Sequence, residues 1–247
     1  MSPQAFSQAD FHRATTYPYR IPGRSFVFDQ GREHALGAGD EIPDLAGRTA
    51  VLAVGSNQSP EQLARKFGGG QWGPIPVIRC ELDDFDSVYS PHIASYGAIA
   101  ATLQHSPGTT VTLFVTWLTE AQLKRMHETE VTSANYGFGL LEGVKIRCEA
   151  GPGIDAVHVY NSRRGTLTLD GNPVPIAEIA AKRRRWKALT QMEVQAQVLG
   201  RLAPGHALER FIGDSVADAD LRRRRSDDLK IGARPFAPPN FREIEIA

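Results

Sequence analysis

The chain is poor in the residues that build metal and disulfide scaffolds. Only two cysteines, Cys80 and Cys148, occur in 247 residues. Neither lies in a CxxC or beside a histidine, so a zinc or dithiol centre has no support. Both sit in strand-like surroundings, where free buried thiols in a reducing compartment are expected. Net charge is also lacking: 28 Lys and Arg balance 28 Asp and Glu. No overall field therefore draws the protein to nucleic acid or to a membrane surface. No apolar run is long enough to span a bilayer. The opening MSPQAFSQADFHR does not read as a secretion signal, so a cytoplasmic protein is expected. No internal repeat or low-complexity segment occurs. Hydrophobic residues make up 41% and charged residues 23%, which suits one large soluble domain or a domain with sizeable extensions.

The most informative stretch runs from Ala50 to Phe67. Ala50 to Gly55 is apolar and partly β-branched, as a buried strand is. The pattern breaks at Gly55-Ser56-Asn57 and restarts as a helix. Ser59, Pro60 and Gln62 supply a cap hydroxyl, a proline at the first helical position and a capping-box partner. Such a turn leaves several backbone N–H groups pointing out together at the positive end of a helix dipole. Those groups can hold a carboxylate, a phosphate or a developing oxyanion. An ordinary strand-to-helix connection has the same signature.

Residues 1 to about 45 read as an arm with an added strand at Ser25 to Phe28. Its aromatics (Phe6, Phe11, Tyr17, Tyr19, Phe26, Phe28) need cover, so the arm is expected to lie across the main body or a partner subunit, with a homodimer as one outcome. Docking is favoured there over contact with a substrate. After Gly68-Gly69-Gly70 come candidate strands at Ile75 to Leu82, Phe85 to Tyr89, Gly97 to Leu103 and Val111 to Leu118. They are separated by Asp83-Asp84 and by a Ser106-Pro107-Gly108 turn. Small residues in GAIAATL indicate close packing or binding at that strand. Short strands with few helices between them predict a mixed or closed sheet rather than a doubly wound parallel one.

Thr119 and Gln122 form a second capping box and open a helix to about Glu130. Leu123, Met126 and Glu130 fall on one face, so the apolar pair carries Glu130 to the buried side, while Glu128 points toward solvent. A half-desolvated carboxylate at the negative end of a helix has its charged form disfavoured twice, which suits a general acid or base. A helix-ending glutamate paired with a lysine or arginine is the competing reading. Tyr136 is a candidate pocket hydroxyl. From Ile176 onward the pattern turns helical, with Trp186, Leu189, Met192, Val198 and Leu202 spaced for packing. The runs Arg183–Arg185 and Arg222–Arg225 read as solvated helix faces, and Arg234 to Pro239 as an extended strap. His92, His105 and His127 lack metal-ligand spacing.

Several of these features, taken in order, resemble the γ-glutamylcyclotransferase-like family. Val54-Gly55-Ser56-Asn57 is similar to its Tyr-Gly-Ser-Asn loop. GAIAATLQHSPG is similar to its small-residue strand and Ser-Pro-Gly turn, followed by a matching strand and the Leu-x-x-Met-His-Glu-Thr-Glu helix. The likeness runs from Arg48 to Ile179. It implies an α+β fold, a small mixed β-barrel over residues 46–179 with flanking helices; the N-terminal arm (1–45) and the helical C-terminal extension (180–247), expected to pack on the barrel, lie largely outside the likeness. It also implies that Glu130 is the catalytic acid/base and that Val54, Gly55, Ser56 and Asn57 contact substrate; Tyr136, a core tyrosine in its alternative reading, joins them as a substrate-binding candidate. The implied reaction cyclises a γ-glutamyl group to 5-oxoproline with release of an amine. That reaction needs no metal, no cofactor and no serine nucleophile. Val54 replaces the family's loop tyrosine, and a later family tyrosine falls on Ala177. The alternatives are a non-catalytic small-molecule-binding or assembly domain, and a hydrolase using Glu130 to activate water.

Overall fold

The computed structural model describes residues 6–37, 39–130, 135–238 and 240–246. The first residues of the arm and the stretch 131–134 after Glu130 lie outside them. In chain order the elements are α1 (Gln8–Thr15), β1 (Phe26–Asp29), β2 (Arg32–Ala35), β3 (Thr49–Ala53), α2 (Pro60–Phe67), β4 (Ile75–Ile93), β5 (Ile99–Leu118), α3 (Glu120–Glu130), β6 (Tyr136–Cys148), β7 (Ile154–Ser162), β8 (Thr168–Leu169), β9 (Asn172–Pro173), β10 (Ala181–Lys182), α4 (Gln191–Leu202), α5 (Leu208–Ala217), α6 (Ala219–Lys230) and β11 (Phe241–Ile244).

Five strands close on themselves in the order β3-β5-β4-β6-β7, with β7 returning to β3. An odd number of strands cannot alternate direction all the way round. One contact must therefore be parallel, and it is β3 against β7. Closure removes the free edges that an open sheet exposes. Strands β1, β10 and β11 extend the sheet from β4, β5 and β6. The fold class is thus α+β, a closed mixed barrel with flanking helices, as the sequence led one to expect.

Strand β3 is a continuous apolar run because both of its faces are covered. Val51 and Ala53 face one cluster with Leu63, Phe67, Phe114 and Met126. Leu52 and Val54 face the other, with Val115, Val157 and Val159. Helices α2 and α3 seal the first cluster. Helices α1 and α4 to α6 cover the far half of the β4–β5 hairpin, where Phe211, Ile212 and Val194 meet Ile93 and Ile99.

Four expected strands prove to be two long ones of 19 and 20 residues. The register jumps between Asp83 and Phe85. Asp84, at φ +64°, faces the extra residues around Gly108, at φ +84°. Its carboxylate accepts the Gly108 N–H at 2.7 Å. What reads as two turns is therefore a bulge crossing both strands, which bends the hairpin without ending it.

The other departures are local. Helix α1 was not expected; it starts at Ser7, whose hydroxyl and Asp10 form a capping box. The Ser59 side chain makes no cap hydrogen bond, and its hydroxyl is buried without a partner among the described residues. Pro60 alone marks that helix start. The extension is not helical from residue 180: Ala181–Lys182 pairs with β5, helix begins at Gln191, and Phe241–Ile244 returns to the sheet against β6. Trp186 and Leu189 precede the helix. The arginine runs are not simply solvated helix faces either. Arg184 pairs with the fully buried Asp86, and Arg225 is buried, donating to the Phe211 carbonyl and the Ser215 hydroxyl. Cys80 and Cys148 are free thiols and face each other across β4 and β6.

Candidate functional site

Strand β3 delivers its last residues to the end of the barrel, where Ser87 Oγ holds the Val54 carbonyl at 2.5 Å. The chain then makes a single 3₁₀ turn, with the Gln58 N–H on the Gly55 carbonyl and the Ser59 N–H on that of Ser56. Gly55 is required by close approach. A Cβ there would stand 2.3 Å from the Tyr17 hydroxyl oxygen and 2.6 Å from the Ala101 methyl. Among the described residues the N–H groups of Gly55 and Asn57 have no backbone partner.

Helix α3 brings Glu130 to this turn. The capping box forms, with the Thr119 N–H on Gln122 Oε1 at 2.9 Å, and Met126 is buried on the predicted face. Asn57 Nδ2 donates to Glu130 Oε1 at 2.8 Å. The Lys66 ammonium, from the last turn of α2, donates to the same oxygen. The Lys66 side chain is only 6% exposed and that of Glu130 17%. Sequence reasoning expected the charged carboxylate to be disfavoured; the structure sets a buried cation against it. The pairing was legible in part, because Lys66 lies three residues after the buried Leu63, on the apolar stripe of α2. Asn57 Oδ1 is buried without a partner among the described residues, so it offers an acceptor beside the carboxylate.

These groups line one cavity of about 710 Å³. Val54, Gly55, Ser56, Asn57, Glu130 and Tyr136 all form part of its wall. Ala177 does not; it lies exposed on the segment leading to β10. Tyr136 donates its hydroxyl to the Ala101 carbonyl at 2.8 Å. Tyr160 meets His127 Nδ1 at 2.6 Å. Burial raises the phenols of Tyr17, Tyr96, Tyr136 and Tyr160, and the negative charge of Glu130 adds to the effect in all four. All four stay protonated near neutral pH.

The opposite wall was not anticipated. Helix α6 contributes Arg222, Arg223, Ser226 and Asp227, and the loop after β7 contributes Arg164. Arg164 is held by Asp227 and by the Pro91 carbonyl. His92 lies beside them, with Nε2 3.2 Å from Asn135 Nδ2. Burial, then the charges of Arg164 and Arg222, push its pKa down to about 4. No local pattern in the sequence marks these residues, since the cavity joins elements more than a hundred positions apart.

No sequence-family profile and no curated protein matches the chain. Among solved structures it is similar to a chain titled "Gamma-glutamyl cyclotransferase", with 16% identity and a TM-score of 0.38 over 76% of this chain and 89% of that one. A second, an uncharacterized protein from Homo sapiens, gives 16% identity and a TM-score of 0.39 over the same shares.

Proposed function

We propose that the chain cleaves γ-glutamyl amides by cyclising the γ-glutamyl group to 5-oxoproline, with Glu130 as acid/base. The observation that carries this reading is the meeting of Glu130 with the Gly55–Asn57 turn in one cavity, joined by the Asn57 hydrogen bond. A substrate ammonium would lie between Glu130 and the free Asn57 oxygen. Glu130 removes a proton, and the freed amine attacks its own γ-carbonyl. A C–N bond forms to close the ring while the original amide C–N bond breaks. The ammonium's two surplus protons end on the departing amine, so none is gained or lost overall. The oxygen of the tetrahedral intermediate, or the substrate carboxylate, takes the amides of the turn. Nucleophile and electrophile belong to one molecule, so positioning supplies much of the rate.

The Lys66–Glu130 ion pair favours a second reading, in which the carboxylate is structural and the cavity only binds a small acid. A panel of γ-glutamyl amines and peptides separates the two. Release of 5-oxoproline by the native protein, lost in Glu130→Gln, supports the cyclotransferase. Silence with bound carboxylate supports the binding domain, and free glutamate in place of the cyclic product supports a hydrolase.

A further inference from the structure

The arm that precedes the barrel reaches the cavity through Tyr17. Its ring is 4% exposed and packs edge-on to Tyr19 with centroids 6.0 Å apart. Helix α1 fixes the approach, docking Ala14 and Phe11, with Phe6 just before it, on the core that includes α5. The Tyr17 oxygen accepts the Ala101 N–H at 2.9 Å, and the Ser56 amide faces the same oxygen. Among the described residues the Tyr17 hydroxyl accepts a hydrogen bond but donates none. A hydroxyl whose oxygen already accepts an N–H is a strengthened donor, and this one stands against the Cα of Gly55.

Tyr136 takes the other backbone group of Ala101: its hydroxyl donates to the Ala101 carbonyl, and the Ser90 side chain hydrogen-bonds its oxygen. The cavity wall thus presents the Tyr17 phenol as a donor beside the free amides of Gly55 and Asn57. We propose that Tyr17 is a ligand-binding residue, donating its hydroxyl to the carboxylate or carbonyl oxygen that the Gly55 and Asn57 amides hold. The N-terminal segment is then part of the site rather than only a cover for the barrel. The inference rests on the oxygen placement given under the proposed function.

The test compares the native protein with Tyr17→Phe, using Tyr19→Phe as control. It reads kcat and KM on the γ-glutamyl panel and calorimetric affinity for 5-oxoproline and glutarate. Tyr17→Phe is expected to lose about 30-fold or more in kcat/KM and about tenfold in affinity for either acid, while Tyr19→Phe loses neither. A purely structural role would lower the melting temperature and leave the affinity of folded protein unchanged, which overturns the inference. If the native protein turns over nothing but binds either acid, and Tyr17→Phe weakens that binding, the cyclotransferase reading fails and this inference stands. If it turns over the panel and Tyr17→Phe does so equally, the reverse holds. If the native protein neither turns over nor binds, both fail. Should Tyr17→Phe not fold, replacing Tyr17 by 3-fluorotyrosine keeps the ring and sharpens the donor. Tighter binding of 5-oxoproline is expected, and unchanged binding overturns the inference.

Discussion

The side-chain amide of Asn57 donates to Glu130 Oε1 at 2.8 Å, tying the turn after β3 to a helix end 73 residues further along the chain. Together with the bond from Lys66 it fixes the carboxylate beside the turn; in the proposed reaction this sets the orientation from which Glu130 takes a proton. Truncation by Asn57→Ala leaves Lys66 as the carboxylate's one hydrogen-bond partner among the described residues and removes the tie to the turn. Turnover of the best γ-glutamyl substrate is expected to fall about 10- to 100-fold. Loss of a hydrogen bond to a charged group is expected to cost about 2 kcal/mol of stability. Steady-state kinetics alongside urea unfolding reads both effects.

Lys66 and Glu130 form an ion pair that is largely removed from water. Removing one partner leaves a desolvated charge, which costs more than the pair contributes. Lys66→Met is expected to lose about 3 kcal/mol, and adding Glu130→Gln is expected to recover part of that loss. Chemical unfolding of the two single variants and the double variant measures the coupling. Simple additivity would mean that the two groups do not act as a pair in solution.

His92 gives stability a pH dependence of definite sign. Its pKa is pushed down to about 4, while an unfolded histidine titrates near 6.5. Between those values the unfolded chain binds more protons, so this contribution is present above about pH 6.5 and is lost as pH falls toward 4. In His92→Gln the melting temperature is expected to lose that component over this window.

Asp86 works in the other direction. Burial pushes its carboxyl up to about 6 despite Arg184, against about 3.9 when unfolded. The native state binds more protons in that interval, so this contribution is greatest below about pH 4 and is lost as pH rises through 6. Asp86→Asn is expected to leave the rising His92 component exposed. The two variants should therefore show melting profiles of opposite slope between pH 4 and 6, and parallel profiles would contradict both assignments.

Much of the barrel could be read from the chain because its strands are apolar runs and its first strand is covered on both faces. The face of α3 that carries Glu130 followed from Leu123 and Met126, a period-3.6 argument that needs no distant information. The β4–β5 bulge was hidden because Asp83-Asp84 and Ser106-Pro107-Gly108 have the composition of turns, and only pairing shows that both strands continue through them. Ser59 looked like a cap but is buried without that bond. Arg184 and Arg225 looked solvated because runs of like charge usually are; Asp86 lies 98 residues from Arg184, and Phe211 meets Arg225 only once two neighbouring helices pack. Tyr17 and α6 enter the cavity through tertiary packing alone, so no local pattern could place them there.

The central claim is that Glu130 moves protons for ring closure. Its most direct test is 5-oxoproline release from γ-glutamyl substrates by native protein and by Glu130→Gln at matched folded concentration. Release by the native chain is expected, with a fall of at least about 10³-fold in the variant and the fold retained. Equal release by the two proteins would contradict the claim.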